Sequence, residues 1–179
     1  RQKMRHLILH MEIPEVLTLY WIFYQSTSTI LKLSIKKRLL ADKKIGLFLS
    51  GGSDSTLIAK LTNEIDPSIE TFSIFFENKK YDESKIIRNT TKKYGFKNHS
   101  LLLNKENVLS NLDTIFKISE PLSDTSIIPT YILSKFSKEY VDVCLTGDGA
   151  DEMFYGYNVF NALFTSYFID KFGLSTKSI

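Results

Sequence analysis

Two short stretches carry the residue types that could do chemistry. The first is Ser50-Gly51-Gly52-Ser53-Asp54-Ser55, which directly follows an apolar run, Ile45 to Leu49. Glycines at 51 and 52 let backbone N–H groups turn toward an anion with no Cβ in the way, and Ser50, Ser53 and Ser55 add hydroxyl donors. Such a loop suits phosphate, and a helix starting near Asp54 would add the positive end of its dipole. Asp54 sharpens this reading, because a carboxylate beside a phosphate is repulsive unless a cation lies between them. Magnesium is the candidate. The spacing is not G-x-x-x-x-G-K-[ST], since no lysine follows the glycines. The plain alternative is a Gly-Ser turn between a strand and a helix. The second stretch is Thr146-Gly147-Asp148-Gly149-Ala150-Asp151-Glu152. Three carboxylates among two glycines crowd like charges, and a cation or cationic neighbour would relieve them. Its alternative is a Gly-Asp turn whose Asp151 and Glu152 stabilise a helix N-terminus.

The elements that must position these stretches follow from periodicity. Ile30, Leu31, Ile35, Leu39 and Leu40 recur at helical spacing over about Thr29 to Ala41, with lysines opposite. Ile45 to Leu49 reads as a buried parallel strand. Leu57, Ile58, Leu61 and Ile65 stripe the helix that follows, and Pro67 ends it. Thr71 to Phe76 is β-branched and aromatic, a second strand. Asp82 is positioned to cap a helix buried through Ile86, Ile87 and Tyr94 and closed by Gly95. Lys97–Leu103 predicts a third strand and Asn107–Ile118 a helix. The helix ending near Tyr140 has Pro129 in its first turn, and Val141–Leu145 predicts a fourth strand. Alternation of this kind argues for an α/β fold, a mainly parallel sheet with helices on both faces. Both chemistry-bearing stretches then sit at carboxyl ends of strands and open onto one crevice. Residues 1–29, with Pro14 and the run Tyr20-Trp21-Ile22-Phe23-Tyr24, read as a linker or fragment edge before a domain spanning 30–179.

Composition narrows the classes. The chain has 179 residues, 43% of them hydrophobic, and a net charge of +3 with no long basic tract. One domain with a buried core is expected. Nucleic-acid binding finds no support, and Lys36-Lys37-Arg38 with Lys43-Lys44 reads as a solvated helix face. No apolar stretch approaches the length of a membrane span, and no signal-peptide pattern opens the chain. The lone cysteine, Cys144, reads as a packing residue, which fits a cytoplasmic protein.

Taken together, the motifs resemble one family, the synthetase domain of glutamine-hydrolysing asparagine synthetases, within the PP-loop ATP pyrophosphatases. The likeness rests on Gly46 to Ser55, Phe72-Ser73-Ile74, Tyr81 to Ser84, Glu120-Pro121 with Asp124 to Lys135, and Thr146 to Tyr157. It implies an adenine nucleotide alpha hydrolase-like, three-layer α/β/α fold and a two-step ligase. A carboxylate, aspartate in the namesake enzymes, attacks the α-phosphate of Mg-ATP, pyrophosphate leaves, and ammonia opens the acyl-adenylate to an amide.

The resemblance further implies that Ser50 to Ser55 hold the β and γ phosphates and that Asp54 and Asp151 hold magnesium. Phe48 or Leu49, Ile74, Thr146 and Gly147 match positions around the adenosine. Asp148 matches the acidic residue that orients substrate or takes a proton from ammonia. Phe75 stands where Gly is common, which predicts a narrowed adenine pocket. Thr146 stands for the usual Ser, and Asp148 for Glu. Relatives with this loop also close β-lactam rings, cyclise peptides or amidate polysaccharide precursors, and a non-catalytic or split-gene nucleotide-binding fragment is the other reading. The family's glutaminase cysteine is not matched, so ammonia is expected from a glutaminase domain outside this chain. Its downstream catalytic lysine is not matched either. Met153, Phe154, Tyr157, Phe160, Phe164 and Phe168 predict an exposed aromatic patch that a homodimer or a partner chain would cover.

Overall fold

The computed structural model describes residues 13–118 and 124–154, together with 156, 157, 159, 162, 163, 165 and 166; over 13–20 only the backbone is described. Among the described residues ten elements follow in order. They are α1 (Ile13–Arg38), β1 (Ile45–Phe48), α2 (Ser53–Ile65), β2 (Glu70–Phe76), α3 (Ser84–Tyr94), β3 (Asn98–Leu103), α4 (Lys105–Ile118), α5 (Ile127–Ser137), β4 (Val143–Leu145) and α6 (Ala150–Phe154).

The four strands form one parallel sheet in the order β3-β2-β1-β4. Gly46 pairs with Glu70 on one side and with Cys144 on the other. From β1 the chain steps outward to β2 and β3, then returns across the sheet to the opposite side of β1. The direction of winding therefore reverses between β1 and β4, and a crevice opens above their carboxyl ends at that reversal.

Helices cover both faces. On one, Leu47 and Leu49 pack with Ala59 of α2, Ile87 of α3 and Phe96, with Phe75 and Tyr94 against them. On the other, Phe72 is wholly buried, its ring 5.3 Å from His99, 6.3 Å from Phe136 of α5 and 5.7 Å from Tyr140. Close approach explains Gly46, since a Cβ there would lie 2.5 Å from the Phe72 ring.

Several sequence expectations change. The helix expected over about Thr29 to Ala41 runs from Ile13 to Arg38. Pro14 is its second residue, where a missing N–H costs nothing. Trp21, Ile22, Phe23 and Tyr24 are all exposed on it; their consecutive placement left no helical period to read. Ile86 and Leu57, assigned to buried stripes, are about half exposed at 51% and 44%. Glu83, not Asp82, is the N-cap residue of α3, but the Asp82 carboxylate does accept from Ser84 N at 3.2 Å and Ser84 Oγ at 2.7 Å. Pro129 is the third residue of α5, and β4 is shorter than expected by two residues. Cys144, which faces partly outward on that edge strand, is only half-buried; loss of solvent still pushes its thiol up.

Candidate functional site

Above β1 and β4 lies an open cleft of about 800 Å³. The strand-to-helix turn after β1 forms its floor. Leu49 N still donates to Phe72 O at 2.8 Å, but its carbonyl accepts the Ser73 hydroxyl at 2.7 Å, and there the chain leaves the sheet. Gly51 takes φ +91°, a left-handed conformation that suits glycine. Ser50 Oγ and Ser55 Oγ lie 2.9 Å apart, Ser50 N donates to Ser55 Oγ at 3.3 Å, and Ser55 Oγ reaches Gly52 O at 3.2 Å. Gly52 caps α2 with no side chain. The first-turn N–H groups of α2 are thus open to an anion, with the helix dipole behind them.

The turn after β4 comes down on the same helix end. A Cβ on Gly147 would sit 3.0 Å from Ser55 N and 3.2 Å from Ser55 Cα. Only glycine lets the two backbones approach so closely. Both motifs therefore face one crevice. Asp54, Asp148, Asp151 and Glu152 line it together with Glu83 and Asp124, while no lysine, arginine or histidine lines it among the described residues.

Local contacts set some of these charges. The Tyr157 hydroxyl donates to Glu152 Oε1 at 2.6 Å, which holds the Glu152 carboxyl below its ordinary range and pushes the Tyr157 phenol up. The Asp124 carboxyl is lowered by Ser126, whose N–H and hydroxyl both donate to it at 2.8 Å.

Of the residues singled out in the sequence, Phe48, Leu49, Ser50, Gly52, Asp54, Ser55, Ile74, Thr146, Gly147, Asp148 and Asp151 line the cleft. Gly51 shapes the turn from outside the lining, and the Ser53 hydroxyl donates to Asp54 Oδ1 at 3.2 Å. Phe75 is a correction. Its side chain packs into the core on the face away from α5, with Arg88 5.1 Å from its ring, and it does not narrow the pocket. Phe76, its neighbour of opposite pleat, lines the cleft instead. Glu83, Asp124, Ser126, Thr130 and Tyr157 join the lining without having been assigned there; the direction of Glu83, Asp124 and Ser126 depends on how α3 and α5 flank the sheet. Met153 (71% exposed), Phe154 and Tyr157 are open to solvent, whereas Phe160, Phe164 and Phe168 lie outside the described residues.

Magnesium chemistry fits this donor set. Among the described residues no group of three or more His, Cys, Asp or Glu side chains could hold a metal by itself. Carboxylates on two turns beside the open N–H groups of α2 suit an ion that takes one or two protein carboxylates and completes its shell with phosphate and water.

Comparison with known proteins agrees with this geometry. The chain is 37% identical over 128 residues to asparagine synthetase (glutamine-hydrolyzing) 1 of Bacillus subtilis (strain 168), covering 71% of this chain and 20% of that protein. It is 32% identical over 139 residues to asparagine synthetase (glutamine-hydrolyzing) of Rattus norvegicus, covering 72% and 24%. The chain spans about a fifth to a quarter of the length of these curated relatives. The U34-tRNA thiolase NcsA of Methanococcus maripaludis superposes with a TM-score of 0.53 at 26% identity, over 73% of this chain and 47% of that one. The NH3-dependent NAD synthetase of Campylobacter jejuni shares the fold, with a TM-score of 0.52 at 18% identity over 75% and 61%. No helix among the described residues is long and apolar enough to cross a membrane. With a family profile described as Asparagine synthase matching residues 27–172, and both of its turn motifs meeting at one helix end, this chain belongs to the asparagine synthase family.

Proposed function

We propose that this domain binds Mg-ATP in the cleft and activates a small carboxylate, aspartate by analogy with the relatives, as an acyl-adenylate that ammonia converts to the amide. The observation that carries the reading is the contact of Gly147 with the backbone at Asp54 and Ser55, which turns a donor-rich loop and an acidic turn toward one space. In this reading the N–H groups at the start of α2 and the hydroxyls of Ser50 and Ser55 bind the β and γ phosphates. Asp54 and Asp151 would hold magnesium, which when bound stabilises the negative charge that builds on the departing pyrophosphate. The apolar wall of Phe48, Ile74 and Phe76 suits the nucleobase. Asp148, exposed at the tip of the second turn, would orient the incoming carboxylate's amino group or take a proton from ammonia.

No cationic side chain lines the cleft among the described residues, so in this reading a cation that steadies the acyl-adenylate comes from outside those residues. The experiment is pyrophosphate release from Mg-ATP in the presence and absence of aspartate, alone and with a glutaminase-bearing relative added. Release that depends on aspartate and falls at least about a hundredfold in Asp54→Ala supports the reading. Absence of both nucleotide binding and release under all these conditions overturns it.

A further inference from the structure

Beneath the phosphate-binding turn, on the sheet face covered by α2 and α3, runs a chain of side-chain hydrogen bonds whose direction is fixed. Asn98, at the start of β3, has two amide hydrogens. One goes to Thr71 Oγ1 at 3.0 Å and the other to Ser73 Oγ at 2.9 Å. Each hydroxyl has a single hydrogen to give. Having accepted from Asn98, Thr71 gives its hydrogen to Lys97 O at 3.3 Å and Ser73 gives its hydrogen to Leu49 O at 2.7 Å. Ser73 is wholly buried and Thr71 nearly so, so water cannot take the place of either partner.

The last bond in the chain holds the first peptide of the turn. In a trans peptide the carbonyl of Leu49 and the N–H of Ser50 point in opposite directions. Fixing that carbonyl toward the sheet fixes the Ser50 N–H toward the hollow of the turn, where Ser55 Oγ now receives it at 3.3 Å. A flipped peptide would present a carbonyl oxygen to an anion and remove a donor. We infer that Ser73 and Asn98 are positioning residues for the phosphate site, keeping the Leu49–Ser50 peptide in its donating orientation across a three-strand relay. The inference rests on the nucleotide reading above for its ligand.

The test uses two substitutions that reach the same bond by different routes. Ser73→Ala removes the donor. Asn98→Asp keeps the shape but turns a double donor into an acceptor, drawing the Ser73 hydrogen away from Leu49. Titration of the full chain with Mg-pyrophosphate and with Mg-ATP should show both variants binding about tenfold more weakly, a change of about 1.4 kcal/mol. The double substitution should be no weaker than either single one, because one bond is lost in every case. Ser73→Thr, which retains the hydroxyl, should recover most of the affinity, and the Leu49 carbonyl carbon resonance should shift in the first two variants and not in the third. A general packing role would instead lower the melting temperature and leave affinity unchanged; that result, or additive losses, overturns the inference. Wild-type binding of pyrophosphate without ATP refutes the nucleotide reading and leaves the relay to be decided on pyrophosphate. Binding of neither ligand overturns both.

Discussion

The two turns that frame the cleft are built very differently. The turn after β1 grows from a central strand paired on both sides. Its carbonyl, hydroxyl and N–H groups are tied to one another and to β2. The turn after β4 grows from a three-residue edge strand whose first residue, Val143, is 45% exposed. Asp148 N has only a long contact to Thr146 Oγ1 at 3.4 Å, and a Cβ on Gly149 would meet nothing within 4 Å. One half of the cleft is set by the sheet before any ligand arrives. The other half meets it at Gly147, and the bonds of its own residues from Met153 N to Gly149 O at 3.2 Å and from the Tyr157 hydroxyl to Glu152 Oε1 at 2.6 Å are local to it.

Substitutions on either side of that contrast should separate the halves. Gly46→Ala strikes the sheet under both. Its methyl would sit 2.5 Å from a Phe72 ring held among His99, Phe136 and Tyr140, so overpacking should cost about 1–3 kcal/mol of stability in urea unfolding. Gly147→Ala strikes only the joint. Backbone atoms of Ser55 cannot yield as a flexible side chain would, and the acidic turn must lift away. Mg-ATP affinity should fall about tenfold or more, with a smaller change in the urea midpoint because β4 is an edge strand.

The smallest effect should come from the far end of the sheet. Glu70 accepts from Lys97 Nζ at 2.6 Å and pairs with His99 Nε2 at 2.6 Å. The Lys97 hydrogen bond, against a cost of desolvation, holds its carboxyl below the ordinary range. A depressed acid contributes stability that is fully present above its unfolded pKa, about 4.3, and is lost as pH falls through the lower folded value. Glu70→Gln should therefore cost about 1 kcal/mol at pH 7 and nothing once both states are protonated. Urea midpoints of the two proteins at pH 7 and near pH 2 check this, and Mg-ATP affinity at pH 7 should be unchanged.

Much of this was legible in the residues. The Gly-Ser loop and the Gly-Asp turn declare their strand ends, and the β-branched runs at Thr71–Phe76 and Lys97–Leu103 mark the sheet. What stayed hidden depends on register or on faces. Ser73 and Asn98 look like ordinary polar strand residues until β2 and β3 are aligned at Thr71 and Asn98. Phe75 could not be assigned to the core while the pleat of β2 was unknown. In α1 Trp21, Ile22, Phe23 and Tyr24 follow one another directly, and a helix without an apolar stripe has no period to betray it.

Amide exchange across both turns, with and without Mg-ATP, tests the central claim most directly. If the turns form one site, saturating nucleotide should slow exchange at Ser53–Thr56 and at Thr146–Glu152 together, with the larger change in the second. Protection confined to one turn, or absent from both at saturation, would contradict it.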